Sequence, residues 1–301
     1  SDPVYAHEFY LYAEDNFQLG NRIRANAGLH YSGFHVQGRF YHSLQPRFSG
    51  RFLITPDFSF KAAFSRMDQY IHLLTNATIG LPTDLWVPAT ERTGPQNSYQ
   101  YALGTAYSLR NNWYISLEGF YKTMNGLIDY SEGSSFFEYG VDWEDKVERD
   151  GKGVSKGLEL LLRRDAGRIR GWIGYTLSKA QVRFENLNNG NPFPYTYDRR
   201  HDVSVVVMFR LNEHTDLSAT WVYGTGKART LGVSRYAPLG HQFVGEDYYS
   251  PWSYYFDPEI EYYKGKNAYR EPSYHRLDLG VNKHKETRWG HRTWSFGVYN
   301  A

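Results

Sequence analysis

The chain has 301 residues, enough for one large β-domain or two ordinary ones. It contains no cysteine, which excludes a disulfide framework, a Cys-ligated zinc site and a thiol nucleophile. Its 34 basic and 32 acidic residues are interspersed and leave a net charge of +2, without the broad basic face that nucleic-acid binding requires, so no nucleic-acid partner is expected.

Alternating apolar and polar residues predict strands, in chain order, at 7–17, 22–33, 44–54, 58–69, 98–109, 113–124, 155–164, 169–184, 202–211, 215–223, 274–284 and 292–301. Every other connection is short and made of turn-forming residues. These are Gly20-Asn21, Thr55-Pro56-Asp57, Arg110-Asn111-Asn112, Asp165-Ala166-Gly167, Asn212-Glu213-His214 and the segment from Glu286 to His291. The intervening connections are read as long, at 34–43, 70–97, 125–154, 185–201 and 224–273. Antiparallel neighbours reverse at each turn, so short connections gather on one side and long ones on the other. Outer-membrane barrels sort periplasmic turns from extracellular loops in this way, and a soluble sandwich has no reason to.

Period-two patterning assigns faces. Ile23, Ala25, Ala27, Leu29 and Tyr31 oppose Arg22, Arg24, Asn26 and His30; Ile115, Leu117 and Tyr121 oppose Ser116, Glu118 and Lys122. Leu217, Ala219, Trp221 and Tyr223 alternate with Asp216, Ser218 and Thr220, and Leu277, Leu279 and Val281 with Arg276, Asp278, Gly280 and Asn282. The first set of each pair is expected to face lipid. A half-buried soluble sheet makes the same alternation, so loop sorting and the aromatic content of 18% separate the two readings. The mean hydropathy of −0.63 does not contradict a barrel, because lumen-facing residues and long loops are polar. Ser1-Asp2-Pro3 is not a leader sequence, and the chain ends at Tyr299-Asn300-Ala301 inside an apparent strand, so it reads as an excised segment.

Five segments carry a resemblance: Tyr41-His42-Ser43-Leu44-Gln45-Pro46-Arg47, the run from Leu81 to Pro88, the run from Pro95 to Gly104, Tyr197-Asp198-Arg199-Arg200-His201-Asp202, and Tyr274-His275-Arg276-Leu277-Asp278-Leu279-Gly280. In order and spacing they resemble the C-terminal barrel of TonB-dependent receptors, particularly those of Bacteroidetes-type bacteria, over nearly the whole chain. The resemblance implies an all-β antiparallel transmembrane barrel in which residues 1–301 form one domain and supply about 12 of about 22 strands. It implies an outer-membrane location and import of a scarce nutrient (siderophore, cobalamin, glycan or peptide). It also implies partners: TonB, through a region before Ser1; the receptor's own plug domain, absent here; outer-membrane lipids; and a surface lipoprotein as a further candidate. No cofactor and no enzymatic activity are expected.

The remaining chemistry is sparse. The acidic groups Asp142, Glu144 and Asp145; Glu246 and Asp247; and Asp257, Glu259 and Glu261 fall in long loops and read as solvated charge; paired-acid hydrolysis and calcium binding both need a separation that sequence does not supply. The eleven histidines show no metal-ligand spacing. Gly224-Thr225-Gly226-Lys227 lacks the glycine and hydroxyl residue of a phosphate loop and reads as a strand-to-loop bend. No catalytic, cofactor or metal residue is therefore assigned. Ligand contacts are expected from loop side chains able to stack on a solute: Tyr70, His72, Trp86, Tyr195, Tyr248, Tyr249, Trp252, Tyr254 and Tyr255. Packing of these rings into a lid is the plainer alternative. Two other functions stand beside the importer. A self-contained passive barrel of twelve strands requires its first and last strands to pair, and a soluble carbohydrate-binding module requires folding without detergent.

Overall fold

The strands predicted from alternation are all present in a computed structural model, which describes residues 4–75, 84–132, 134, 142–232, 234–236, 260–262 and 264–301. In chain order they are β1 (Ala6–Leu19), β2 (Ile23–Val36), β3 (Arg39–Leu53), β4 (Phe58–Gln69), β5 (Ile71–Leu74), β6 (Leu85–Pro88), β7 (Gln96–Leu109), β8 (Trp113–Tyr130), β9 (Val147–Arg164) and β10 (Ile169–Arg183). There follow β11 (Phe193–Pro194), β12 (His201–Asn212), β13 (Thr215–Gly224), β14 (Ala228–Arg229), β15 (Ser234–Tyr236), β16 (Ile260–Tyr262), β17 (Tyr269–Arg270), β18 (Tyr274–Thr287) and β19 (Gly290–Val298). Twelve long strands form one antiparallel sheet in the order β1-β2-β3-β4-β7-β8-β9-β10-β12-β13-β18-β19, with β11 added beside β10. Strands β1 and β19 pair with one neighbour each and not with each other. The self-contained twelve-strand barrel needs that pairing and does not have it.

Cross-strand register fixes which residues share a face, because directly opposed side chains point to the same side. One row reads Ile115, Leu162, Ile173, Val205, Trp221 and Leu277 across six strands. The face it belongs to is the predicted membrane face, and it is open: Phe48, Phe52, Leu103, Leu117, Leu158 and Phe296 are among its exposed residues. Aromatic rings border it at both ends, with Tyr101, Tyr121, Tyr175 and Tyr223 towards the long loops and Phe58, Tyr107, Trp113 and Trp294 towards the short turns. Such girdles mark the two membrane interfaces of a barrel.

The 34–43 connection, expected to be long, is a tight turn. Val36 pairs directly with Arg39, so Gln37 and Gly38 alone make the turn. Both adopt the left-handed conformation, with φ of 48° and 80°, as the twist-matched two-residue hairpin turn requires. The strands on either side run on because Phe34, Val36, Phe40 and Tyr41 suit a pleated ladder. Two of the other long connections carry small sheets of their own: β5 pairs with β6 in 70–97, and β14 with β17 and β15 with β16 in 224–273.

Strands β8 and β9 have 18 residues each, beyond the ~9–11 that cross a bilayer. Their ends towards the long loops stand clear of the aromatic girdle, and there the buried cores lie. Leu74, Val87, Ile128, Tyr130 and Val147 form one cluster. Phe34, Val36, Tyr70 and Ala89 form a second, and Val182, Phe184, Leu187 and Phe193 a third.

Candidate functional site

The loops above the girdle are tied by polar contacts between segments far apart in sequence. Asp198 is 2% exposed; its carboxylate accepts from the Ala180 amide at 2.6 Å and from Arg270 Nη2 at 2.6 Å. Arg270 also donates to the carbonyls of Asp198 and of Gly226, the latter at 3.1 Å. A Cβ built on Gly226 would lie 1.8 Å from the Glu271 carbonyl, so only glycine allows this approach. Asn267, 2% exposed, donates to the Pro194 carbonyl at 2.9 Å and exchanges hydrogen bonds with Thr230. Lys266 Nζ stands 3.1 Å from Asp129 and donates to the Tyr130 carbonyl at 2.8 Å, with the Phe193 ring 5.7 Å away. Burial holds the Asp129 carboxyl above the usual range, partly offset by Lys266. Residues 266–270 of loop 225–273 are thereby clasped to β8, β11 and the segment before β12, and through Asp198 to β10.

On the second side, Arg92 pairs with Asp145 and lies 3.7 Å from Glu144, whose carboxylate also accepts from Thr90. The acidic residues Glu144 and Asp145 thus hold the β6–β7 connection against the one before β9.

Between these clasps lies an aromatic surface. Tyr195 and Tyr197 meet edge to face at 5.7 Å, and Lys227 lies 5.4 Å from the Tyr197 ring centre. The Tyr197 hydroxyl points to Asp84 at 3.5 Å, a long contact. Burial raises both phenols, and Asp84 adds to the effect on Tyr197. Trp86, two residues beyond Asp84, is 62% exposed. Rings flanked by one cation and one carboxylate can stack on a solute and orient it.

The expected contact residues therefore divide. Tyr195 meets Tyr197 on this surface and packs on the Val182, Phe184, Leu187 and Phe193 cluster, and Trp86 is exposed two residues from Asp84. Tyr70 is 3% exposed, stacked on Phe34 at 5.0 Å, with its hydroxyl 2.8 Å from Ser32 Oγ. His72 is fully buried; neither ring nitrogen has a well-aligned hydrogen-bond partner among the described residues, and burial lowers its pKa to about 4, opposed by the Gly94 backbone. Tyr248, Tyr249, Trp252, Tyr254 and Tyr255 lie outside the described residues. Sequence reasoning did not select Tyr197, Asp84 or Lys227. The signal available for Tyr197 was the Tyr195-Thr196-Tyr197-Asp198 run itself, in which two rings and a carboxylate fall within four residues.

Below the loops, the face opposite the membrane face is charged in blocks. Arg24, Arg51 and Lys61 are directly opposed on β2, β3 and β4. The same row continues through Gly104 to Glu118 and Glu159, directly opposed on β8 and β9. Like charges facing each other across strands cost stability unless something complementary meets them.

A sheet with one apolar, aromatic-bordered face, one charged face and tied loops at one end matches one family over its whole length: the TonB dependent receptor-like β-barrel covers residues 1–301. The chain belongs to that family. TonB-dependent receptors are outer-membrane transporters and receptors, not enzymes. No curated protein matches this chain. Among solved structures it is similar in fold to the FrpB iron transporter from Neisseria meningitidis (13% identity, TM-score 0.62, 99% of this chain and 42% of that one). It is similar also to the siderophore receptor PirA from Acinetobacter baumannii (14%, 0.61, 98% and 41%) and to the ferric-catecholate import receptor Fiu from K12 E. coli (12%, 0.60, 98% and 40%). The TonB-dependent receptor chain thus spans less than half the length of these structures.

Proposed function

We propose that the chain supplies barrel wall and extracellular loops to a TonB-dependent importer that carries a scarce nutrient across the outer membrane. The observation that carries this reading is the surface of Trp86, Tyr195 and Tyr197, with Asp84 and Lys227, held by clasped loops above a charged wall. A ferric siderophore suits it best: it presents aromatic or amide planes for stacking and net charge for Lys227. Three of the similar folds carry iron or siderophore names. Cobalamin, glycans and peptides are the competing cargoes.

The blocks of like charge on the inner face support a protein occupant rather than a small ion. One anion would satisfy Arg24, Arg51 and Lys61 and leave Glu118 and Glu159 opposed, whereas a plug presenting acids to β2–β4 and bases to β8–β9 satisfies both. TonB would act through the region before that plug, and a surface lipoprotein would meet the loops. The five motifs quoted above support a Bacteroidetes-type receptor.

The test uses the full-length receptor in cells. Uptake of labelled ferric siderophore, cobalamin, oligosaccharide and peptide is measured with TonB present and deleted. The expected result is saturable, TonB-dependent uptake of one class, lost on Trp86→Ala with Tyr197→Ala. Uptake unaffected by TonB deletion would replace the importer with a passive channel.

A further inference from the structure

The loop end of β1 and β2 carries two histidines side by side on the outer face of the wall. His7 and His35 are directly opposed in the register, on the face of Phe9, Leu11, Ala27 and Leu29. Both are exposed. Strand β2 starts beside a short turn, so its first ~9–11 residues cross the bilayer and His35 stands past them, on the side of the long loops. Among the described residues neither histidine makes an ion pair or a side-chain hydrogen bond. Their neighbours on this face are Phe9, Gly33, Phe40 and His42, with no carboxylate to pair with an imidazolium.

The spacing of the pair follows from the ladder. The Leu53 amide donates to the Arg22 carbonyl directly opposite, so even residues of β2 exchange backbone bonds with β3, and odd residues, His35 among them, exchange theirs with β1. Opposed residues of that kind have Cα atoms about 5.5 Å apart. Two imidazoles rising from such a pair on one face can converge on one ion at the ~2.0–2.1 Å of a metal–imidazole bond. The register that brings them together is locked directly below. Phe9 lies over Gly33, where a Cβ would stand 2.3 Å from the ring, and stacks on Phe40 at 5.8 Å. A slip of one residue would turn His7 to the lumen face. His42 is held differently, with its ring 6.1 Å from that of Phe40 and 6.3 Å from that of Tyr31.

We propose that His7 and His35 form a two-histidine site for a first-row divalent transition ion, which binds Cu²⁺ more tightly than Zn²⁺ and leaves the remaining coordination positions to water. Neutral imidazole selects these ions over Ca²⁺ and Mg²⁺, which take oxygen ligands. Among the described residues no group of three or more acidic residues or histidines is placed to share an ion, so the pair acts as the whole protein share of the site. The site faces away from the lumen and is independent of the import reading. Beyond the Arg47–Ser65 pair β3 leaves β4, and β1, β2 and β3 continue as a blade whose inner side is covered by Tyr70 and Ala89. A bound ion would clasp β1 to β2 on the outer side of that blade.

The full-length receptor, purified in non-ionic detergent with any affinity tag removed, is titrated near neutral pH with Cu²⁺, Zn²⁺ and Mg²⁺, and the copper form is read by electron paramagnetic resonance. A tight Cu²⁺ with hyperfine coupling to two imidazole nitrogens is expected, with Zn²⁺ weaker and Mg²⁺ not bound there. His7→Gln and His35→Gln should each weaken that Cu²⁺ roughly 100-fold, because the second bond of a chelate forms at high effective concentration. The double variant should lose little more, and His42→Gln should bind as wild type does. Cu²⁺ should also slow amide exchange across 6–9 and 33–36 in wild type and in neither single variant. Heat-modifiable gel mobility verifies that each variant forms a barrel. Unchanged affinity in either single variant, losses that multiply in the double variant, a loss in His42→Gln equal to that in His35→Gln, or Mg²⁺ binding as tightly as Cu²⁺ would each overturn the proposal. Binding is read without uptake, so failure of the import reading leaves this result interpretable.

Discussion

Acidification should open the β5–β6 hairpin before it affects the wall, and His72 sets the size of the effect. The ring is fully buried in a hairpin whose Leu74 and Val87 pack on Ile128, Tyr130 and Val147, with no well-aligned partner for either nitrogen among the described residues. Its pKa is lowered from 6.5 to about 4, chiefly by burial. A base with a depressed native pKa stays neutral when folded and takes up its proton on opening. The stability it contributes is therefore complete above about pH 6.5, falls between 6.5 and 4, and is level below. At 1.36 kcal/mol per unit the full loss is about 3 kcal/mol, and about 2 kcal/mol is gone by pH 5. Hydrogen exchange of the segment 70–90 between pH 7.5 and 4.5, corrected for intrinsic exchange, should show opening favoured about 30-fold at pH 5. His72→Leu should flatten that dependence and leave exchange of β10 and β12 unchanged. The same slope in wild type and His72→Leu would refute the reasoning.

Arg270→Ala leaves the Asp198 carboxylate buried with the Ala180 amide as its remaining donor and should cost ~3–5 kcal/mol of local stability. Asp198→Ala should cost less, ~1–3 kcal/mol, because the Arg270 side chain is 32% exposed and rehydrates; equal losses in exchange at Ala180 would contradict the asymmetry. Gly226→Ala drives a Cβ into the Glu271 carbonyl, so proteolysis of loop 225–273 should accelerate at least tenfold while the wall melts as before. Trp86→Ala and Tyr197→Ala should each weaken cargo binding by roughly tenfold at unchanged thermal stability, both rings being exposed. Tyr70→Phe should do the reverse, losing ~1 kcal/mol with its bond to Ser32 and leaving affinity intact.

What was legible in the sequence follows from the range of the interactions. Strands declare themselves through neighbours two residues apart, and turns through residues such as Asn111 and Asn112, both left-handed here. All twelve wall strands and both faces were accordingly readable. The Gln37-Gly38 turn was not, because the aromatic residues around it suit a loop that binds solutes as well as a strand. Tyr70 and His72 looked like contact residues for the same reason: a ring in a long connection has one composition whether it faces a cargo or a core. The difference is set by partners far away, Ser32 and Phe34 for Tyr70 and the β8–β9 ends for the hairpin of His72. Asp198 was quoted within a motif, but its role depends on Arg270, 72 residues on, which nothing local announces.

The position of the buried clusters separates two kinds of stability in one chain. Along the wall, side chains on one face meet lipid and those on the other meet the lumen, so its cohesion comes from the backbone ladder, every long wall strand between β1 and β19 being paired on both sides. Above the girdle the order reverses: ladders are two to four residues long, and burial of Phe34, Leu74, Val87, Phe184 and Phe193 supplies the cohesion. A hydrogen-bonded ladder opens strand by strand only at its edges, whereas a small hydrophobic cluster closed by one or two polar clasps opens as a unit at a few kcal/mol. The loops can therefore rearrange around a cargo while the wall stays fixed. The residues that set the cost of that rearrangement are the clasps, Asp198–Arg270, Lys266–Asp129 and Arg92–Asp145, and not the aromatic rings proposed to meet the cargo. Exchange of cargo class should consequently follow changes in the rings, and exchange of binding rate should follow changes in the clasps.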